Sequence, residues 1–319
     1  MNDQPSQPTP ATPADGDTAP APKTYDLSDF TDIVSLVREN EDAEIRKNVV
    51  AHIGKLLTRH KLKHYTVLFL YDDHDSISPY HSNSIYNAAS AANPHADILL
   101  IVQSRGGSIE HGYLISKTCK SLSKGKFVVA VPRQAKSAAT LLALGADEIH
   151  MGLMSELGPI DPQIGGYPAL GLSNALHSLA KLACTYPASA SMWADYLGKN
   201  LNLRDLGYLE RLSESAIQYA ERLLNNKAGI LPPTQNPTTL AGHFVNHYKD
   251  HGFVIDFDEA KGLLGDKIVK GATTEYKCAN DIYGFLYLLG MVLNLFKTKE
   301  FYYVGSVASG LQIRDKPKK

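Results

Sequence analysis

The sequence predicts an α/β fold with a parallel sheet at its core and a mostly helical carboxyl-terminal region. Three observations lead there. Between residues 66 and 152 short apolar runs alternate with helical patterns, as they do when parallel strands are joined by right-handed crossovers. The 319 residues are 44% hydrophobic, enough to bury one large domain. Glycines and small residues cluster just after two of the apolar runs, on the side of such a sheet where ligand sites form.

The first 23 residues hold six prolines among Ala, Thr, Gln and Asp, with no hydrophobic periodicity. Such a segment cannot bury enough surface to offset its ordering entropy, so a disordered tail is expected. From Tyr25 the pattern becomes helical. Asp29 or Thr31 is placed to cap a helix whose Ile33, Val34, Leu36 and Val37 share one face. A second helical run covers 43–59. Strands are predicted at 66–72, 96–104, 126–132 and 148–152, with helices at 82–92, 108–123 and 137–144 between them. Beyond residue 173 helices dominate, at 174–186, 193–200, 204–226, 238–251 and 275–297. The stretch 225–239 carries Gly229 and three prolines and reads as a loop. Tyr302 and Tyr303 read as part of a short terminal strand. The expected organisation is a tail at 1–23, a main domain at 24–265 and a helical extension at 266–319 packed on it.

Composition excludes several classes. The formal net charge is −1 with nearly equal acids and bases, and no run of Lys or Arg suggests a membrane-surface patch, so neither a nucleic-acid partner nor a membrane surface is expected. Cys119, Cys184 and Cys278 are too few and too scattered for a disulfide framework or a zinc site, which points to a reduced, cytoplasmic setting without a metal. The amino terminus lacks the positive-then-apolar pattern of a signal peptide. The longest apolar stretch, 282–296, contains Asn294 and falls short of the roughly 20 residues of a spanning helix, so a buried helix without membrane anchorage is expected. Neither GxGxxG nor GxxxxGK[ST] is present, and no cofactor is implied.

Two loops carry chemistry. Ser104-Arg105-Gly106-Gly107-Ser108 follows a buried strand, and its glycines let the backbone turn sharply and approach a ligand with unblocked N–H groups. Taken alone, the pair is an ordinary tight turn. In Ala135-Lys136-Ser137-Ala138-Ala139 a serine opens an apolar helix. By itself Ser137 is a helix cap. One βαβ unit separates the two loops, which places them side by side. Gly107 can then supply one oxyanion-binding N–H, while Ser137 supplies a nucleophile and Ala138 the next N–H, with the helix dipole favouring negative charge there.

The runs SRGGSIEHGYLI, VPRQAKSAATLLALGADEIHMG and SELGPIDPQIGG resemble the serine dehydrogenase proteinase family, a relative of signal peptide peptidase A and of the proteolytic Clp subunit. The resemblance is strong over residues 96–166 and persists to about residue 265, where HGFVIDFDEAKGLLG is similar to the segment opening the family's last short helix. It implies a ClpP/crotonase-like fold of repeated ββα units, a serine peptidase acting on peptide or protein substrates, and assembly into homo-oligomers. Ser137 falls on the family's nucleophile, Gly106 and Gly107 on its oxyanion loop, and Ala138 on the position after the nucleophile. Arg105 stands where Pro is usual, and Ala138-Ala139 where Gly-Gly is common. The membrane helix usual in the family is missing, which puts a membrane role in doubt.

A serine nucleophile needs a base. Relatives of the signal peptide peptidase type use a lysine some forty to fifty residues downstream, made basic by desolvation. Lys181, among Leu179, Ala180, Leu182 and Ala183, is nearest that spacing, and Lys199 is the alternative. Where the Clp subunit carries its histidine this chain has Asp161 and Pro162; His111, His150, His177, His243, His247 and His251 are available as a histidine base, and of these His251 lies on the segment that resembles the family's histidine-bearing one. Asp161, between prolines, reads as a turn former. Two rival readings keep the fold: an acyl-CoA enzyme of the crotonase type with no nucleophile at Ser137, and a non-catalytic assembly or binding protein.

Overall fold

The computed structural model describes residues 23–164 and 167–317; the proline-rich tail, apart from Lys23, lies outside them. Helices α1 (Phe30–Glu39) and α2 (Asp42–Arg59) come first. There follow β1 (Tyr65–Asp72), α3 (Pro79–Ser90), β2 (Asp97–Ser104), α4 (Ile109–Leu122), β3 (Phe127–Ala130), β4 (Gln134–Ala135), α5 (Ala138–Leu144) and β5 (Glu148–Met151). Short strands β6 (Glu156–Leu157), β7 (Gln163–Ile164) and β8 (Tyr167–Pro168) lead into α6 (Ala169–Thr185), α7 (Ala190–Asn200), α8 (Leu203–Asn225), α9 (Pro237–Asn246) and α10 (Phe257–Leu264). Then come β9 (Val269–Gly271), α11 (Thr274–Lys297), β10 (Lys299–Ser306) and β11 (Leu311–Asp315).

The main sheet runs β11-β10-β1-β2-β3-β5-β9. Strands β1, β2, β3, β5 and β9 are parallel, and β10 and β11 join antiparallel on the β1 side. Successive side chains of a strand point to opposite faces. Leu68, Leu70, Leu100 and Val102 therefore pack with α3, α4, α5, α8 and α9 in one core. Phe69, Tyr71, Leu99 and Ile101 pack with α1, α2 and α11 in the other. Burial on both faces explains why these strands are almost unbroken apolar runs. The predicted α/β class with a parallel core is the one observed.

Asp29 caps α1 as expected, its carboxylate accepting the N–H groups of Thr31 and Asp32. The helix expected over 238–251 stops at Asn246. Beyond it the chain runs through turns and bends to a bridge in which Ile255 and Leu157 exchange N–H···O bonds of 3.1 and 2.9 Å. Residues 266–319 contribute more than the expected helical extension. Here β10 pairs along β1 and β9 along β5, so the central sheet crosses the boundary expected at residue 265. Sequence periodicity marks single strands but not their partners, which is why this pairing was not legible. Helix α11 is the one described helix long and apolar enough to cross a membrane by length and composition. Its Ile282, Leu286, Leu289 and Leu293 are buried in the second core.

Ending the chain after Lys297 is expected to abolish cooperative unfolding, since it bares the edge of β1 and removes Tyr303 from its stack on Phe69 at 4.2 Å. A soluble product with an unchanged thermal transition would contradict the role given to β10.

Candidate active site

At Ser104 the small strand β4 leaves the main sheet beside β2, pairing Ala135 with Ser104, and β6 pairs with β4 in turn. Ser137 stands at the carboxyl end of the sheet, between β4 and α5. Ser137 holds φ 51° and ψ −118°, a region that costs a non-glycine residue about 1–3 kcal/mol. Its neighbours fix it there. The Lys136 N–H donates to the Ser104 carbonyl at 3.0 Å, and Leu141 N–H to the Ser137 carbonyl at 3.0 Å. Thr140 Oγ1 donates to the Ala135 carbonyl at 2.6 Å and accepts the Gly158 N–H at 2.9 Å. Ser137 occupies the cap position of α5, yet its side chain makes no capping hydrogen bond. The strand-to-helix turn instead raises an uncommitted hydroxyl, as in other strained nucleophile turns.

The glycine loop meets this turn at van der Waals distance. Gly106 has φ 98°, and a Cβ on it would lie 2.7 Å from Ser137 Cβ and 2.6 Å from the Lys136 carbonyl oxygen. Gly107 has φ 148°, and a Cβ there would lie 2.3 Å from Ile77 N. Ile77 holds the loop from outside: its N–H donates to the Gly106 carbonyl at 2.8 Å, and its carbonyl accepts the Ser108 N–H at 2.9 Å. Among the described residues, neither the Gly107 N–H nor the Ala138 N–H has an acceptor. Two free N–H donors beside a free hydroxyl form an arrangement suited to stabilising an oxyanion. Gly106, Gly107, Ser137 and Ala138 are thus brought together.

The candidate bases are placed differently. Lys181 is exposed on α6, so the desolvation expected of it is not found in the single chain. Lys199, on α7, is exposed and paired with Asp195 at 2.7 Å, four residues away. His251 is half-buried, with Nδ1 2.7 Å from Oδ1 of Asp161. That hydrogen bond raises the imidazole pKa above its usual range. Asp161, read from sequence as a turn former, is buried and also accepts from Gln163 Nε2 at 2.8 Å. Lys136 turns away from Ser137, its ammonium 2.9 Å from Glu156 and 3.1 Å from the Phe253 carbonyl. Phe253 of the 251–255 segment is thus tied to the residue before Ser137. Among the described residues no side chain is bonded to Ser137 Oγ.

Lys227 was missed by sequence reasoning. Its ammonium donates to the Leu144 carbonyl, at the end of α5 opposite Ser137, and burial pulls its pKa down to about 7. Nothing in Asn226-Lys227-Ala228-Gly229 signals a buried lysine. Its carbonyl partner is a product of the tertiary fold.

Residues 69–182 match the family model of the ClpP-like SDH-type serine proteinases. This segment is similar to that family. It contains Gly106, Gly107, Ser137, Ala138 and Lys181 and stops before Lys199 and His251. Two uncharacterized proteins of Methanocaldococcus jannaschii are 39% identical over 95 residues and 36% identical over 96 residues. Each match covers 30% of this chain, and it covers 33% of one relative and 32% of the other. The chain thus spans about a third of the curated relatives it matches. Among solved structures, a serine-to-alanine variant of the 1510-N membrane-bound stomatin-specific protease aligns at 16% identity with a TM-score of 0.42, covering 70% of this chain and 82% of that one. A lysine-to-alanine variant of the same protease, in complex with a substrate peptide, aligns at 16% identity with a TM-score of 0.41, covering 78% and 86%.

Two predictions follow from the geometry. Gly107→Ala is expected to lower reactivity of Ser137 towards a fluorophosphonate roughly 100-fold or more, the scale of losing one oxyanion donor; reaction at the wild-type rate would contradict it. The second concerns Lys227, which binds its proton more weakly folded than unfolded. Unfolding free energy should therefore rise with pH from about 7 towards the unfolded lysine value of ~10.4. Denaturant titrations at pH 7 and 9 test this, and Lys227→Met should flatten the difference.

Proposed function

We propose that this chain is a serine peptidase that cleaves peptide bonds through an acyl-enzyme on Ser137. The observation carrying this reading is the strained Ser137 turn, which presents a free hydroxyl next to the free N–H groups of Gly107 and Ala138. An acyl-CoA enzyme would use the same two donors but would gain nothing from the strain at Ser137. The substrate lies extended beside Gly106-Gly107 as an added strand, its main chain supplying the pairing.

In the first step Ser137 Oγ bonds to the substrate carbonyl carbon while its proton passes to the base. The carbonyl π electrons move to oxygen, where Gly107 and Ala138 hold the charge. Collapse breaks the C–N bond, and the leaving amine takes the proton from the base. Water then attacks the ester in the same way and frees Ser137.

The family resemblance supports Lys181 as the base, which requires α6 to close on Ser137 in the working form. Exposed Leu182, Tyr186, Met192 and Tyr196 on and between α6 and α7 support burial of this arm in a homo-oligomer. A second reading is favoured by the His251–Asp161 pair, a general-base unit whose imidazole is already oriented by a buried carboxylate. Two buried free thiols, Cys119 and Cys278, accord with work in a reduced, cytoplasmic compartment.

A fluorophosphonate is expected to label the wild type and not Ser137→Ala; a folded wild type that never reacts would refute the peptidase. Lys181→Ala should abolish labelling if lysine is the base, whereas His251→Ala should do so in the second reading. The pH profile separates them again. A histidine base held by Asp161 gives a rate that climbs through a pKa above the ordinary ~6.5, and a lysine base one that climbs at more alkaline pH. The raised His251 pKa also implies that its ion pair stabilises the fold fully below ~6.5 and ceases to do so as pH rises through the folded value.

A further inference from the structure

Gly107 can offer its N–H only if the loop keeps a φ of 148°, and the loop is held by a segment that sequence reasoning left without a role. Residues 72–82 contain a chain of buried polar groups. Asp72 ends β1 opposite Ser104, and its Oδ1 accepts the N–H groups of His74 and Asp75, both at 2.9 Å. Its Oδ2 lies 3.3 Å from His81 Nε2. His81 Nδ1 lies 3.2 Å from the Ser78 N–H and 3.0 Å from Ser78 Oγ. Because the Ser78 N–H can only donate, Nδ1 carries the lone pair and the ring proton sits on Nε2, towards Asp72. Asp72 and His81 are each only 2% exposed, so the bond between them is made away from bulk water, where leaving it unmade is costly.

The chain ends at Ser78, the residue after Ile77. Ile77 makes the two backbone bonds that flank Gly107, to the Gly106 carbonyl and from the Ser108 N–H. A Cβ on Gly107 would lie 2.3 Å from Ile77 N, which leaves no room for a side chain between them. We infer that Asp72, His81 and Ser78 are positioning residues that fix Ile77 and, through it, aim the Gly107 N–H at the oxyanion. This rests on the peptidase reading of Ser137. The brace ties the oxyanion loop to the end of β1, independently of the bonds that fix Ser137 to β2.

The test uses the full chain with p-nitrophenyl acetate, active sites titrated by fluorophosphonate, and amide hydrogen exchange. In His81→Ala, kcat per titrated site should fall roughly tenfold or more with KM within about twofold, since a misaimed donor acts on the transition state. Exchange at Ile77 and Ser108 should accelerate while Val129, in β3, keeps its protection. His81→Gln, which can still donate towards Asp72, should recover part of the rate. An unchanged kcat overturns the inference, as does a lower kcat with Ile77 and Ser108 still protected. If His81→Ala does not fold, Ser78→Ala stands in, with roughly threefold expected and an unchanged kcat again overturning it. If the wild type itself is unreactive the peptidase falls instead, and exchange alone then decides whether the brace holds the loop.

Discussion

Leu68, Leu70, Leu100 and Val102 face one side of the central sheet and Phe69, Tyr71, Leu99 and Ile101 the other, so β1 and β2 are stable only with helices on both sides. That requirement settles much of the architecture. Parallel neighbours need crossovers long enough to hold a helix, and right-handed crossovers return each strand in the same direction. All the strand-to-helix turns then gather at one edge of the sheet. The meeting of the Gly106-Gly107 loop with the Ser137 turn is a by-product of burying eight apolar side chains.

The site adds local tension to this rigid base. Ser137 adopts a backbone conformation that few residues tolerate, and Gly106 and Gly107 are needed because no side chain fits between the two turns. A cost of about 1–3 kcal/mol is a noticeable fraction of the 5–15 kcal/mol by which domains are stable. It is borne by the Lys136 N–H donating to the Ser104 carbonyl and the Gly158 N–H donating to Thr140 Oγ1 on one side and by the Ile77 pairing on the other. Ser116 Oγ and Lys227 Nζ, donating to the Leu142 and Leu144 carbonyls, fasten the far end of α5.

The parts legible in the sequence were those governed by neighbours along the chain. Alternating apolar runs marked β1, β2, β3 and β5 within a residue or two at most boundaries, and glycine spacing with a serine before small residues marked Gly106, Gly107, Ser137 and Ala138, which the fold brings together. The parts that were not legible depend on residues distant in sequence. Nothing near Lys299 announces that the strand beginning there will lie along β1. Asp161 between prolines looks like a turn until His251, ninety residues on, is brought to it. Lys181 has apolar neighbours in sequence, but in a helix they occupy several faces, and sequence adjacency does not desolvate an amine. His81 had no motif, since its partners are a strand end and a backbone amide.

The pairing of β10 with β1, Leu68 against Ser306, bears on how the protein is made. On the ribosome β1 emerges long before its antiparallel partner, and until then its Phe69 and Tyr71 face lacks both that strand and α11. The nascent chain must carry an open, aromatic sheet edge through the synthesis of more than half its length. Long-range pairing of this kind is slow to form and prone to intermolecular capture. Chaperone occupancy during translation, and recovery that depends on protein concentration after denaturation, are therefore consequences of placing a central strand so far along the chain.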